Sequence, residues 1–105
     1  MYPRELTPEE QAWLELLLSR LGSDQEILRA QARCMRVGGE CGTGPVSIRL
    51  LEVDDSHCVP CPVRDGPVAE DTGIAKTGEP VELRLQVDDR GFISELQILR
   101  ILDES

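Results

Sequence analysis

The chain has 105 residues, of which 20 are acidic and 11 are Lys or Arg, so its formal net charge at pH 7 is −9. This length fits one small domain covering residues 1–105. The charge argues against nucleic acid as a partner, because phosphate binding needs clustered basic residues, and it argues equally against an anionic membrane surface.

The N-terminal part of the chain predicts a helical pair over residues 7–33. Thr7 as N-cap and Glu10 as its capping-box partner indicate that a first helix begins here. Its apolar stripe at helical spacing consists of Trp13, Leu14, Leu17, Leu18 and Leu21. Ser23 and Glu26 repeat the start signal directly afterwards, so we expect a helical hairpin or corner.

Residues 34–102 predict an antiparallel sheet. The segment 46–53 reads as one strand, and the strict alternation of 81–87 indicates another. A turn at 88–91 then leads into a returning strand over 92–102. The whole chain is therefore expected to be an α+β domain, with the N-terminal helical pair packed on an antiparallel sheet of three to four strands.

Proline and glycine dominate the stretch 54–80, which predicts a long loop. A structureless loop of this length is unusual in a compact domain, so a short edge strand is expected near residues 67–71.

The last strand is apolar on both faces. If Val87 lies opposite Phe92, one face is continuous with the preceding strand, and the other face carries Ile93, Leu99 and Ile101. This second face needs a cover, which could be the long loop, the helical pair or a second copy of the protein in a homodimer.

Four cysteines raise the question of a zinc site. Cys34, Cys41, Cys58 and Cys61 have the spacing C-x6-C-x16-C-x2-C, and His57 could replace one of them as a ligand. The proline two residues after Cys58 lacks the N–H that a zinc knuckle uses, which weakens this hypothesis. The alternative is a set of thiols without a metal, and no other cofactor is expected.

A thiol enzyme is the remaining alternative for the same segment. Cys58 or Cys61 would be its nucleophile, and His57 is the only histidine available as a base. A redox site needs the CxxC at the start of a helix, and the glycine and prolines that follow prevent one. No secretory signal or membrane-spanning run is visible, so we expect a cytoplasmic protein with reduced cysteines.

Carboxylates cluster in the predicted loop, at Asp54, Asp55, Glu70 and Asp71. No calcium-loop motif accompanies them. If several lie on one face, they would form an acidic patch for a basic protein partner.

The C-terminal segment "PVELRLQVDDRGFISELQI", preceded by two capped helices and by "GGECGTGPVSIRL", resembles a family of small bacterial proteins of unassigned function. The resemblance covers most of the chain, and its motifs concern the fold. It implies the α+β order of elements and supplies no established activity, and some members of the family look like immunity-type or accessory proteins. We therefore expect a small acidic binding protein without catalysis that acts on a protein partner, with the zinc-stabilised domain and the thiol enzyme as alternatives.

Overall fold

The computed structural model describes residues 2–42, 44–54, 56, 58–62 and 66–101. These residues form an α+β domain with two helices and one five-stranded antiparallel sheet in the order β1-β2-β5-β4-β3. The elements in chain order are α1 (Pro8–Leu18), α2 (Gln25–Arg33), β1 (Met35–Cys41), β2 (Val46–Val53), β3 (Ala69–Ile74), β4 (Pro80–Val87) and β5 (Ile93–Arg100).

The start of α1 is fixed by the predicted capping box. The Thr7 hydroxyl accepts the backbone N–H of Glu10 at 3.2 Å, and the Glu10 carboxylate accepts the N–H of Thr7 at 2.9 Å. The same carboxylate also accepts two bonds from the Arg4 guanidinium, at 2.8 and 2.9 Å, and one from Arg49 at 2.6 Å. Glu10 therefore connects α1 to the N-terminal segment and to β2.

Glu10 is only 2% exposed, yet it is charged. Burial alone would raise its pKa, but the hydrogen bonds from Arg4, the Thr7 backbone and Arg49 outweigh this effect and lower the pKa from 4.5 to about 2. A pKa below its unfolded value means that the carboxylate stabilises the fold fully above about pH 4.5 and that this contribution is lost as the pH falls towards 2.

The second helix begins differently from the prediction. The sequence indicates Ser23 as the cap, whereas α2 begins at Gln25, after Asp24, whose side chain makes no capping hydrogen bond. The Gln25 side chain instead donates to the Leu18 carbonyl at 2.8 Å, at the end of α1. The Gln25 amide thus provides a donor for a carbonyl at the end of α1 that has no partner within the helix. This bond also keeps the turn between the two helices tight.

Both helices lie on the same face of the sheet, with α1 against β3 and β4 and α2 against β5. The buried layer between helices and sheet includes Trp13, Leu14, Leu17, Leu28, Met35, Val37, Leu51, Val81, Leu83, Leu85, Ile93, Leu96 and Ile98. The predicted alternation of β4 is confirmed, since Val81, Leu83 and Leu85 are at most 2% exposed.

The sheet has five strands, so the expected three to four is too few. The first strand, β1, is longer than the sequence indicates, because Gly38–Cys41 continue it although glycines at this point favour a turn. Gly38 is an extra residue between two register pairs and lies beside the Glu52 side chain. The short edge strand expected near residues 67–71 is present as β3, over Ala69–Ile74.

The register of the last hairpin also differs from the prediction. Leu83 lies opposite Ile98, and Val87 lies opposite Ile93, because β5 carries Ser94 as an extra residue between two register pairs. This bulge changes the side-chain alternation. Ile93 turns towards the helices and is 1% exposed, so it does not lie on the uncovered face with Leu99.

The turn before β5 packs against the segment 58–62. Gly91 has a φ of +88°, and its carbonyl accepts the N–H of Cys61 at 2.9 Å. A Cβ at this position would lie 2.2 Å from the Cys61 carbonyl oxygen. The turn therefore requires a glycine for two reasons, its left-handed conformation and the close approach of another backbone.

We expect Glu10→Gln to lower the free energy of unfolding at pH 7 by about 3 kcal/mol, because a neutral amide cannot replace a buried carboxylate between two guanidinium groups. The difference from the wild type should shrink as the pH falls from 4.5 towards 2. Urea denaturation across this range measures it. Glu15→Gln is the matched control in the same helix, because its 2.7 Å pair with Arg29 is exposed and should contribute less than about 1 kcal/mol. Equal losses for the two variants would contradict the central role of Glu10.

Gly91→Ala should destabilise the protein much more than Gly78→Ala. Gly78 has nearly the same φ, +89°, but nothing lies within 4 Å of its added Cβ. Gly78→Ala therefore reports the conformational cost alone, about 1–2 kcal/mol, and Gly91→Ala should cost at least about 2 kcal/mol more through the clash. Thermal and urea denaturation measure the loss of stability in both variants. Similar losses would show that segment 58–62 moves away from the added methyl group without an energetic cost.

Candidate functional site

The cysteines are distributed over distant parts of the fold. Cys34 follows α2, and its carbonyl accepts the N–H of Asp54 at 2.8 Å, whereas Cys41 lies at the far end of β1. At about 3.3 Å per strand residue, β1 separates Cys34 and Cys41 by about 20 Å. A tetrahedral site with four ligands at about 2.3 Å cannot include both.

The described ranges, which omit Asp55 and His57, contain no group of three or more Cys, His, Asp or Glu residues placed to hold a metal ion. The predicted roles of Asp55 and His57 thus lie outside the described residues. No disulfide links the cysteines of this part of the chain. The residues present therefore do not fit the four-cysteine zinc site.

Segment 58–62 packs towards α2. The Cys58 thiol lies 3.7 Å from the Ala30 carbonyl, and Cys61 is only 4% exposed, with its thiol 3.6 Å from the Pro62 carbonyl. A buried thiol beside a carbonyl is poorly suited to act as a nucleophile, because neither feature stabilises a thiolate.

Gln31 on α2 holds this segment in place. The side chain is fully buried, and its amide donates to the carbonyls of Val59 and Gly91, both at 3.0 Å. Its own carbonyl accepts the N–H of Ile93 at 2.9 Å. One glutamine thereby joins α2, segment 58–62 and the start of β5. This role of Gln31 was not predicted, although a polar residue inside an apolar helix face is a signal that could have indicated it.

The face of the sheet opposite the helices is covered by no described element, and we call it the open face. The register and the alternation of side chains place a diagonal apolar row on it, from the end of β3 across to β2. This apolar row consists of Ile74, Pro80, Ile101, Leu99, Val46, Ile48 and Leu50.

Several members of the apolar row are exposed to solvent. Ile74 is 69% exposed, Ile101 49% and Leu50 40%, and these are three of the five large hydrophobic residues that are exposed in the described part of the chain. Contiguous exposed apolar residues of this kind usually mark an interaction site. Segment 58–62 does not cover them, because it contacts the helix side.

Carboxylates border the apolar row on the open face. Glu70 and Glu82 lie 3.6 and 3.5 Å from the Arg84 guanidinium. Glu52 and Glu95 flank Leu50, along β2 and across on β5, and neither forms an ion pair with a described residue. Arg36, opposite Glu52 in the register, lies 3.8 Å from Glu5 instead. The border thus has a surplus of negative charge beside Leu50.

The structure brings only some of the predicted partner-binding residues together. Leu99, Ile101 and Glu70 lie on the open face. Asp71 instead faces the helix side, where it pairs with Arg20 at 2.5 Å, and Asp54 lies just beyond β2.

The part of the apolar row on β2, which consists of Val46, Ile48 and Leu50, was not among the predicted partner-binding residues. Their alternation indicates an apolar face but does not say which face the helices cover.

Neither described helix combines the length and the apolar character needed to cross a bilayer. The chain matches no protein-family model, no curated protein and no solved structure. The function must therefore be argued from the site itself.

Gln31→Met should lower the free energy of unfolding by about 2–4 kcal/mol, because the buried Ile93 N–H loses its acceptor and the carbonyls of Val59 and Gly91 each lose one donor. Segment 58–62 should also open locally, so that alkylation of Cys61 becomes faster. Urea denaturation and mass spectrometry of timed alkylation measure both effects. Gln11→Met is the control, since the Gln11 amide makes a single exposed bond of 3.3 Å to Leu6. An unchanged Cys61 rate would show that Gln31 does not hold the segment.

Proposed function

We propose that this chain is a binding protein that recognises another protein through the open face, without a catalytic step. The partner would present an apolar surface with basic residues at its edge. The single observation that carries this proposal is the apolar row around Leu50, bordered by carboxylates that have no cation.

The apolar row supplies the affinity in this proposal. Its side chains stand on a regular sheet, which holds them at fixed spacing, so little conformational entropy is lost when a partner covers them. Burial contributes roughly 25 cal/mol for each Å² of apolar surface. A flat sheet face of this kind suits a partner helix or a second sheet better than a small ligand.

The charges select the class of partner. Glu52 and Glu95 beside Leu50 favour Lys or Arg on the partner, and the net charge of −9 would steer a basic protein towards the site. A second copy of this chain would bring the same carboxylates to the same face, where like charges repel. The proposal therefore favours a different, basic protein over a homodimer.

The alternatives receive less support from the described residues. The zinc-stabilised domain would need Cys34 and Cys41 at one point, and β1 holds them apart. The thiol enzyme would need a reactive cysteine, and Cys61 is buried. No specific observation favours either of them.

Leu50→Asp should abolish capture of the partner, because it places a charge at the β2 end of the apolar row, between Glu52 and Glu95, and it should leave the fold intact, since the side chain is 40% exposed. Val59→Asp is the matched control, an equally drastic change at a residue that is 61% exposed on the segment beside α2. Affinity capture from cells of the source organism compares both variants with the wild type. Far-UV circular dichroism and urea denaturation check that each variant is folded.

A protein that the wild type and Val59→Asp retain, and that Leu50→Asp loses, would support the proposal. Zero-length cross-linking of its lysines to Glu52 or Glu95 would confirm the predicted edge, and added salt should weaken the complex. The cross-linker has little competition within the chain, whose only lysine is Lys76. A partner that Leu50→Asp still binds would contradict the proposal. A stable dimer of the wild type that Leu50→Asp disrupts, seen by analytical ultracentrifugation, would contradict it as well.

A further inference from the structure

A second concave site lies on the helix side of the sheet, at the end where β2 begins and β5 ends. This cleft has a volume of about 330 Å³. Its floor is apolar and consists of Trp13, Val81 and Ile98, which are 6%, 2% and 6% exposed. The volume is at the lower end of the range for small-molecule sites, and an apolar floor with a few polar groups is their usual composition.

Two basic side chains without an ion pair line this cleft. Lys76 lies in the turn between β3 and β4, and Arg100 ends β5. Neither forms an ion pair within the described part of the chain, whereas Arg4, Arg20 and Arg49 are all paired. The chain has 20 acidic residues that could pair with a cation. Two basic side chains without such a partner nevertheless lie together in this cleft.

The cleft also contains one further cation and two carboxylates. Arg49 also lines it, held by Glu10 at 2.6 Å and by Glu40 at 2.9 Å. Glu9 and Glu79 are its carboxylates, and Glu9 accepts the backbone N–H of Lys76 at 2.8 Å. Arg49 is therefore already neutralised and Glu9 has a backbone donor, so Lys76 and Arg100 are the cations of the cleft that are left for a ligand.

Ser47 adds a hydrogen-bond donor. Its hydroxyl oxygen accepts a hydrogen bond from the Arg49 guanidinium, so the oxygen is engaged as an acceptor. The hydroxyl proton remains available for a ligand in the cleft that Ser47 lines. Because Arg49 is held by two carboxylates, the orientation of Ser47 is set before any ligand arrives.

We propose that this cleft binds a small organic anion. The apolar body of the ligand lies on Trp13, Val81 and Ile98, and its carboxylate or phosphate group binds Lys76 and Arg100 and accepts the Ser47 proton. The site is on the opposite face of the sheet from the apolar row. Its existence does not depend on the protein-binding function, and each proposal can fail alone.

Ligand binding can be measured by the fluorescence of Trp13, which is the only tryptophan of the chain and forms part of the floor of the cleft. Benzoate and phenyl phosphate test the two anionic groups, benzamide tests the need for charge, and inorganic phosphate tests the need for an apolar body. We expect benzoate, phenyl phosphate or both to change the Trp13 fluorescence in a saturable way. Which of the two binds more tightly identifies the anionic group. Benzamide and inorganic phosphate should bind at least fivefold more weakly.

Lys76→Gln and Arg100→Gln should each weaken binding of the preferred probe at least fivefold. Arg33→Gln is the matched control, because Arg33 has no ion pair with a described residue, ends α2 away from the cleft and changes the net charge equally. It should alter the affinity less than twofold. Several results would overturn the proposal: no saturable signal with either organic anion at millimolar concentration, equal binding of benzamide or inorganic phosphate, or equal effects of all three variants.

Discussion

The buried carboxylate of Glu10 is the interaction on which the arrangement of the other elements depends. It begins α1 through the capping box with Thr7, and its bonds to Arg4 and Arg49 bring the N-terminal segment and β2 to the same point. Arg4 then pairs with Val37 on β1 through two backbone hydrogen bonds, of 2.8 and 2.9 Å. A buried ion is costly unless every lone pair is used, and here the four bonds to one carboxylate meet that requirement.

A second buried polar group, Gln31, has the same function at the other helix. Its side chain makes three hydrogen bonds to backbone groups and so joins α2 to segment 58–62 and to the start of β5. Gly91 makes this packing feasible by letting the segment approach its backbone. The two polar anchors explain why a domain with few aromatic residues holds a proline-rich stretch on the helix side. With the described part of that stretch on the helix side, no described element covers the other face of the sheet.

Local signals in the sequence predicted the α+β class, the start of α1, the bounds of β2 and the alternation of β4. They failed where a tertiary contact decides. Gly38 and Ser94 are bulges, and a single extra residue reverses which face the following side chains occupy, so Ile93 was placed on the wrong face. Part of the candidate site was predictable, since Leu99 and Ile101 need a cover. The role of Leu50 was not, because alternation alone cannot identify the face that the helices bury.

The end of β5 shows how one strand serves both candidate sites. Leu99 and Ile101 point to the open face, and Arg100 between them lines the cleft on the helix side, as strict alternation requires. This strand therefore supplies apolar groups to the open face, where we propose protein binding, and a cation to the cleft on the helix side. Because adjacent residues face opposite sides, a substitution at Leu99 or Arg100 reaches one site and leaves the side chains of the other in place. The two proposed functions can thus be separated within a single strand.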